Sequence, residues 1–241
     1  MRDGSNVRIA IVDYGMGNLF SVSQACQQAG LQASVTTSRH EILSASAVIL
    51  PGVGAFGLAM ETLNKLDLVG PLRDVAASQA VLMGICLGMQ LLMTESQEFG
   101  RHGGLGIVEG EAVPLPAAAV SHGFKVPHIG WNQIHGNPRS DLLHSLSSGG
   151  STWKGSFLEG LPDGDFMYFV HSYYCKPVDS AVLLSTTRYG PIEFCSALHR
   201  GNIMGCQFHP ERSGQSGLRV YRNLSAMLNR SLPEISDVPE I

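Results

Sequence analysis

One cysteine stands in a setting that would make it a nucleophile. Cys86 lies in Gly84-Ile85-Cys86-Leu87-Gly88, where the apolar run Val81-Leu82-Met83 gives way to the helix formers Met89-Gln90-Leu91-Leu92-Met93. Glycine two residues before and two after a nucleophile is the pattern of a strand-to-helix elbow, with sulfur in place of the usual hydroxyl. The glycines let the backbone turn sharply and leave the sulfur above a sheet edge. The N-terminus of the following helix would favour its thiolate. A buried, inert thiol is the commoner role of a lone cysteine, but it does not require flanking glycines.

A thiolate that attacks an amide needs a proton donor for the departing nitrogen, normally a histidine oriented by a third group. Of the nine histidines, His40, His102, His122, His135 and His144 fall in segments that read as loop or helix start and are expected at the surface. His128, His171, His199 and His209 are the candidates. His209 follows an apolar strand in Gly205-Cys206-Gln207-Phe208-His209-Pro210-Glu211. Pro210 stops that strand, and Glu211 is close enough to reach back to the imidazole. His171 also ends a strand, but no carboxylate neighbours it in sequence. Cys86, His209 and Glu211 are therefore the predicted triad. Pro51-Gly52-Val53-Gly54-Ala55-Phe56 follows another apolar run, and its glycines permit a peptide flip that exposes N–H groups to an oxyanion. An ordinary strand-to-helix turn would have the same composition.

These residues need a scaffold that brings strand ends together. Arg8 to Val12, Ala33 to Thr36, Ala47 to Leu50 and Val81 onward read as strands. Helical patterns separate them: one capped by Asn18 or Ser21 and running to about Gly30, one from Ser38 to about Ala45, then Leu58 to Leu66 and Leu68 to Ser78. Strands alternating with helices predict an α/β fold with an open, mostly parallel central sheet. In such sheets, sites form beyond the carboxyl ends of the strands. From Gly103 to about Leu161 the helical rhythm stops, and a smaller β portion with long loops is expected. Asn137-Pro138 and Ser147 to Ser151 read as exposed loop. Further strands are expected at Met167 to Val170, Ala181 to Thr187, Ile192 to Leu198 and Ile203 to Gln207. A helix from about Gln215 to Leu228 closes the core, and Pro233 to Ile241 reads as a tail.

The 241 residues suit one domain with its core at about residues 7–230, and 44% of them are hydrophobic. A net charge of -4 makes no electrostatic case for nucleic acid or an anionic membrane. The five cysteines lack paired or C-x-x-C spacing, so no metal is expected and a reducing cytoplasm is the simplest setting. No apolar run reaches the roughly 18 residues of a membrane span.

With these segments assembled, the chain resembles the class I, or triad, glutamine amidotransferases. In that family GICLGMQ carries the nucleophile, QFHPE the base and its carboxylate, and PGVGAF the oxyanion loop. Within the family it is similar to the glutaminase subunits of imidazole glycerol phosphate synthases, on IVDYGMGNLFSV, ILPGVGAFG, KVPHIGWNQI, YFVHSYY and GCQFHPERSG. The resemblance covers roughly Ile9 to Leu228. It implies that Cys86 attacks glutamine, with backbone groups of Gly52, Val53 and Leu87 holding the oxyanion. Gln90, Glu98 and the backbones of Ser172 and Tyr173 would hold the substrate. It implies a (β/α)8-barrel cyclase partner meeting Trp131, Asn132 and Tyr168, taking the ammonia and forming imidazole glycerol phosphate and AICAR, with no cofactor. Two departures stand out. Ser147 to Glu159 is longer than the family's usual link and reads as a surface insertion, and Arg212 replaces an expected lysine with its charge kept. Three alternatives stay open: a paralogue serving surface amino-sugar synthesis, a free-standing cysteine hydrolase of similar fold, and a non-catalytic binding module. The intact triad disfavours the last.

Overall fold

A computed structural model of the chain describes residues 7–116, 123–137 and 153–230. The N-terminal half alternates as expected: β1 (Arg8–Val12), α1 (Leu19–Gln28), β2 (Gln32–Thr36), α2 (Arg39–Ser44), β3 (Ala47–Gly52), α3 (Phe56–Lys65), α4 (Val69–Ala77) and β4 (Val81–Cys86). Asn18 caps α1 by accepting the Ser21 N–H at 3.4 Å, and Ser38 caps α2 in the same way through the Glu41 N–H. After β4 come α5 (Leu87–Leu91), β5 (Met93–Ser96), β6 (His102–Gly103), β7 (Val108–Pro114), β8 (His128–Gly136), β9 (Asp165–His171) and β10 (Tyr173–Pro177). The chain then forms β11 (Leu183–Tyr189), β12 (Ile192–Arg200), β13 (Ile203–Cys206) and the long helix α6 (Gly214–Arg230).

The central sheet has the order β2-β1-β3-β4-β13-β12-β11-β8-β9. The first five strands in that order run parallel, and β12, β11, β8 and β9 extend the sheet antiparallel. A second, four-stranded sheet has the order β10-β7-β5-β6. The parallel strands are apolar on both faces, as a sheet covered on two sides requires. On one face Ile9, Ile11 and Ile49 pack with Val22, Val220, Tyr221 and Leu224 of α1 and α6. On the other, Ala10, Val48 and Leu50 pack with Ile42, Phe56, Leu63 and Leu72 of α2, α3 and α4.

Three expectations need correction. The run Met89-Gln90-Leu91-Leu92-Met93 does not continue as helix, because α5 stops at Leu91 and Met93 opens β5. Backbone pairing overrides propensity there: the N–H groups of Leu105 and Gly106 donate to the carbonyls of Leu91 and Met93, and Val108 donates to Leu92. Asn137 is not exposed loop but buried, its amide donating to the carbonyls of Ser180 and Leu183 at 3.3 and 3.0 Å; Pro138 lies outside the described residues. Nor is the segment ending at Glu159 a surface insertion throughout. Residues 147–152 lie outside the described residues, but Trp153, Phe157 and Leu158 are fully buried against α6 and the sheet. The spacing of these three residues places them on one side of a turn, and the Gly/Ser-rich run before them masked that signal. The Pro233 to Ile241 tail also lies outside the described residues.

Trp153→Ala should therefore cost about 3–5 kcal/mol, the range for deleting a buried aromatic side chain. Chemical denaturation would measure this. A loss within about 0.5 kcal/mol would mean a surface position.

Candidate active site

The order β3-β4-β13 brings three separate motifs to one sheet edge. Gly52 at the end of β3 pairs with Cys86 at the end of β4, and Ile85 pairs with Cys206 at the end of β13. Cys86 is thus flanked by the glycine loop on one side and by the strand leading to His209 on the other. Its backbone has φ 54° and ψ -110°, a conformation unfavourable for a residue with a Cβ and worth about 1–3 kcal/mol of strain. The flanking glycines hold it there by close approach. A Cβ on Gly88 would lie 1.7 Å from the Leu50 carbonyl oxygen, and one on Gly84 would lie 2.7 Å from the Gly88 backbone. Helix α5 therefore presses directly on β3 and β4, and its first residue, Leu87, has an N–H with no acceptor within the helix.

His209 opens a turn made by Pro210, Glu211 and Arg212. Its Nδ1 lies 2.8 Å from Glu211 Oε1, and both side chains are buried. Nδ1 therefore carries the hydrogen, and Nε2 is the nitrogen turned toward Cys86. That Nε2 is buried with no hydrogen-bond partner in good geometry among the described residues, and it lies within interaction range of the Cys86 sulfur. Burial opposes a charge on this ring. The facing sulfur of Cys86 and the carboxylate of Glu211 outweigh burial and push the His209 pKa up to about 10. The backbone is pinned as well: the His209 N–H donates to the Tyr168 carbonyl, and the Ser213 hydroxyl donates to the His209 carbonyl.

The other three candidate histidines are held in the opposite sense. Burial pushes His128 down to about 4 and, with the neighbouring His128 ring adding to it, His171 down to about 3; burial also lowers His199. His171 is excluded as the base because both its ring nitrogens are engaged, at 2.9 Å from the Tyr173 carbonyl and 2.9 Å from His128 Nδ1.

A pocket of about 270 Å³ opens beside the sulfur. Val53, Cys86, Leu87, Gln90 and Glu98 line it, together with Val170 to Tyr173. Gln90 donates to the Tyr173 carbonyl at 2.9 Å and to Gln207 Oε1 at 3.1 Å. Glu98 accepts the Phe56 N–H, capping α3, and still lines the pocket. Of the residues expected at the substrate and oxyanion positions, Val53, Leu87, Gln90, Glu98, Ser172 and Tyr173 line this pocket; Gly52 does not, but pairs with Cys86 in the sheet. Trp131 and Tyr168 lie outside it. They sit opposite each other in the β8–β9 ladder, ring to ring at 6.0 Å, and the Arg212 guanidinium stacks on Tyr168 at 4.7 Å. Trp131 is 55% exposed, so it is not a core tryptophan. Asn132 projects to the opposite face, toward His128 and the Arg188 carbonyl.

Two residues of the site escaped sequence reasoning. Gln207, fully buried, donates to Cys86 Sγ at 3.6 Å and links it to Gln90. Its place two residues before the base was the available signal. The buried hydroxyl of Tyr14 donates to the Pro51 carbonyl at 2.8 Å and closes off the space beside Gly52. No short-range pattern pointed to it.

Because His209 titrates above the ordinary 6.5, its pairing stabilises the fold fully below about 6.5 and loses that contribution as pH rises through about 10. Cys86→Ala removes the largest influence raising it, so the His209 titration midpoint, followed by NMR, should drop toward the ordinary histidine range. An unchanged midpoint would mean that the sulfur does not face the ring.

A model of the family Glutamine amidotransferase class-I matches residues 10–225. The imidazole glycerol phosphate synthase subunit HisH of Moorella thermoacetica is 44% identical over 223 residues, covering 92% of this chain and 96% of its own length. The subunit of the same name from Aquifex aeolicus is 43% identical over 218 residues, covering 90% and 95%. A crystal structure of a glutamine amidotransferase shares the fold with a TM-score of 0.65 at 16% identity, over 91% of this chain and 98% of that one. With its motifs, fold and relatives in agreement, the chain belongs to the class I glutamine amidotransferase family, in the branch of the imidazole glycerol phosphate synthase subunit HisH.

Proposed function

We propose that this protein is the glutaminase subunit of an imidazole glycerol phosphate synthase. It hydrolyses glutamine to glutamate and ammonia and passes the ammonia to a (β/α)8-barrel cyclase subunit. The observation that carries the reading is the buried Cys86–His209–Glu211 alignment, opening on a pocket lined by Gln90 and Glu98.

The steps follow from that geometry. The Cys86 thiolate attacks the side-chain amide carbon, forming the C–S bond while the C=O electrons move onto oxygen. Backbone N–H groups of Leu87 and the Gly52-Val53 peptide stabilise that oxyanion. The His209 imidazolium gives its Nε2 proton to the amide nitrogen, the oxyanion re-forms the C=O bond as the C–N bond breaks, and ammonia leaves. The γ-glutamyl thioester is then attacked by water, from which His209 takes a proton. The C–S bond then breaks and returns the thiolate, His209 is left as imidazolium, and the product leaves as glutamate, its acid proton passing to solvent. Glu211 keeps Nδ1 protonated and aimed throughout.

At rest the Val53 N–H donates to the Met16 carbonyl at 3.3 Å. This supports a resting loop in which that donor is turned away from the oxyanion position, to be freed when the partner docks. The partner's footprint is supported by an apolar face next to the pocket. Ile129, Trp131 and Phe166 are exposed, and they share one face of the β8–β9 ladder with Tyr168 and with Val170, which lines the pocket. Free ammonia is protonated in neutral water and no longer nucleophilic, so a mouth sealed by the partner suits delivery of ammonia.

Glutamate release should rise on the order of 100-fold or more when the barrel cyclase and its ribonucleotide substrate are added, the effect of one restored oxyanion donor. Cys86→Ala should abolish it. Trp131→Ala should weaken partner binding roughly 10-fold or more, as a truncated interface anchor does. Full activity without the partner would instead indicate a free-standing hydrolase.

A further inference from the structure

A row of hydrogen bonds that reaches the pocket lining has one self-consistent assignment. The Tyr173 carbonyl can only accept, so His171 Nδ1, at 2.9 Å, carries a hydrogen and donates to it. In a neutral ring His171 Nε2 is then an acceptor, and the nitrogen facing it at 2.9 Å, His128 Nδ1, must be the donor. His128 Nε2 is left as an acceptor, and the Asn132 amide supplies a hydrogen to it at 3.3 Å. The second Asn132 hydrogen goes to the Arg188 carbonyl at 3.0 Å, and Asn132 Oδ1 accepts the Gln133 N–H. A single backbone carbonyl thus sets two tautomers and one amide orientation. The row ends at the atom that Gln90 also uses, because Gln90 Nε2 donates to the same Tyr173 oxygen at 2.9 Å.

We propose that His171 and His128 are positioning residues for glutamine: a relay of two neutral imidazoles that holds the Ser172-Tyr173 backbone and Gln90 in the orientation the substrate binds. The proposal rests on the glutaminase reading given above. Neither ring is the base, which is His209; His171 belongs to the pocket lining, whereas His128 lies beyond it, bonded to His171. The surroundings favour neutral rings. His128 stacks on Phe169 and Tyr189, His171 packs against Phe194, and both rings are buried. A protonated His171 would have no acceptor for its second hydrogen, because His128 Nδ1 would point a hydrogen at it. In this arrangement the imidazoles serve as rigid spacers of fixed polarity. The relay begins at Asn132, which adjoins Trp131 in sequence but projects to the opposite face of the β8–β9 ladder.

The test uses the full chain with its cyclase partner. His171→Phe removes both bonds and keeps the ring volume, whereas His171→Asn puts an amide N–H where Nδ1–H was. His171→Phe should raise the KM for glutamine roughly tenfold, the scale of one lost buried hydrogen bond, with kcat within about twofold. The rate of Cys86 alkylation by iodoacetamide, which needs no glutamine contact, should not change. His171→Asn should bring KM back to within about twofold of wild type. An unchanged KM in His171→Phe, or equal loss of KM, kcat and alkylation in both variants, would overturn the relay. If the wild type hydrolysed no glutamine under any condition, the glutaminase reading would fall instead. Imidazole nitrogen NMR shifts would then decide the relay by themselves: it requires both rings to be neutral and Nδ1-protonated at pH 7, and any other tautomer would overturn it.

Discussion

A contact between two backbones determines the rest of this site. Gly88 in the elbow helix lies so close to the Leu50 carbonyl that no side chain fits between them. That approach lets α5 start immediately after β4, which forces Cys86 into its positive-φ turn and lifts its sulfur clear of the sheet. A larger residue at position 88 would push the helix away, relax the turn and move the thiol. Gly84 and Gly205 belong to the same packing, since side chains there would meet the Gly88 backbone and the Met89 side chain. The strain in Cys86 is therefore held by close packing of helix on sheet, and the β3–β4 pairing sets the thiol beside Gly52 without involving any polar side chain.

The second constraint is electrostatic. Cys86 comes from the end of β4 and His209 and Glu211 from the turn after β13, and all three side chains are buried in a region that disfavours isolated charge. Burial alone would leave a neutral imidazole, as it does for His128, His171 and His199. His209 differs because a sulfur and a carboxylate face it from opposite sides, and their attraction exceeds the desolvation cost. The Val53 N–H, proposed above as an oxyanion donor, is held against the Met16 carbonyl.

Much of this was readable from residue types and spacing, for physical reasons. Continuous apolar runs broken at regular intervals by capping residues such as Asn18 and Ser38 can hardly be anything but a parallel α/β sheet. The flanking glycines marked Cys86, and the proline and carboxylate after His209 marked the base. The unreadable parts depend on contacts distant in sequence. Strands β5, β6 and β10 are two to five residues long, and their pairing partners rather than their own propensity make them strands. Trp153 is hidden from a local reading because the glycines and serines before it dominate the composition, yet it is among the largest fully buried side chains. Gln207, Tyr14 and the His128–His171 row are bonded across 117, 37 and 43 positions. No local pattern encodes such distances.

The central claim is that Cys86 carries the γ-glutamyl group, and trapping that intermediate tests it most directly. The chain and its cyclase partner would be mixed with glutamine, quenched in acid during turnover, and digested for mass spectrometry. The account predicts a γ-glutamyl adduct on the peptide containing Cys86, absent when glutamine is omitted. Turnover of glutamine with no adduct on Cys86, or with the adduct on Cys26, Cys175, Cys195 or Cys206, would contradict it.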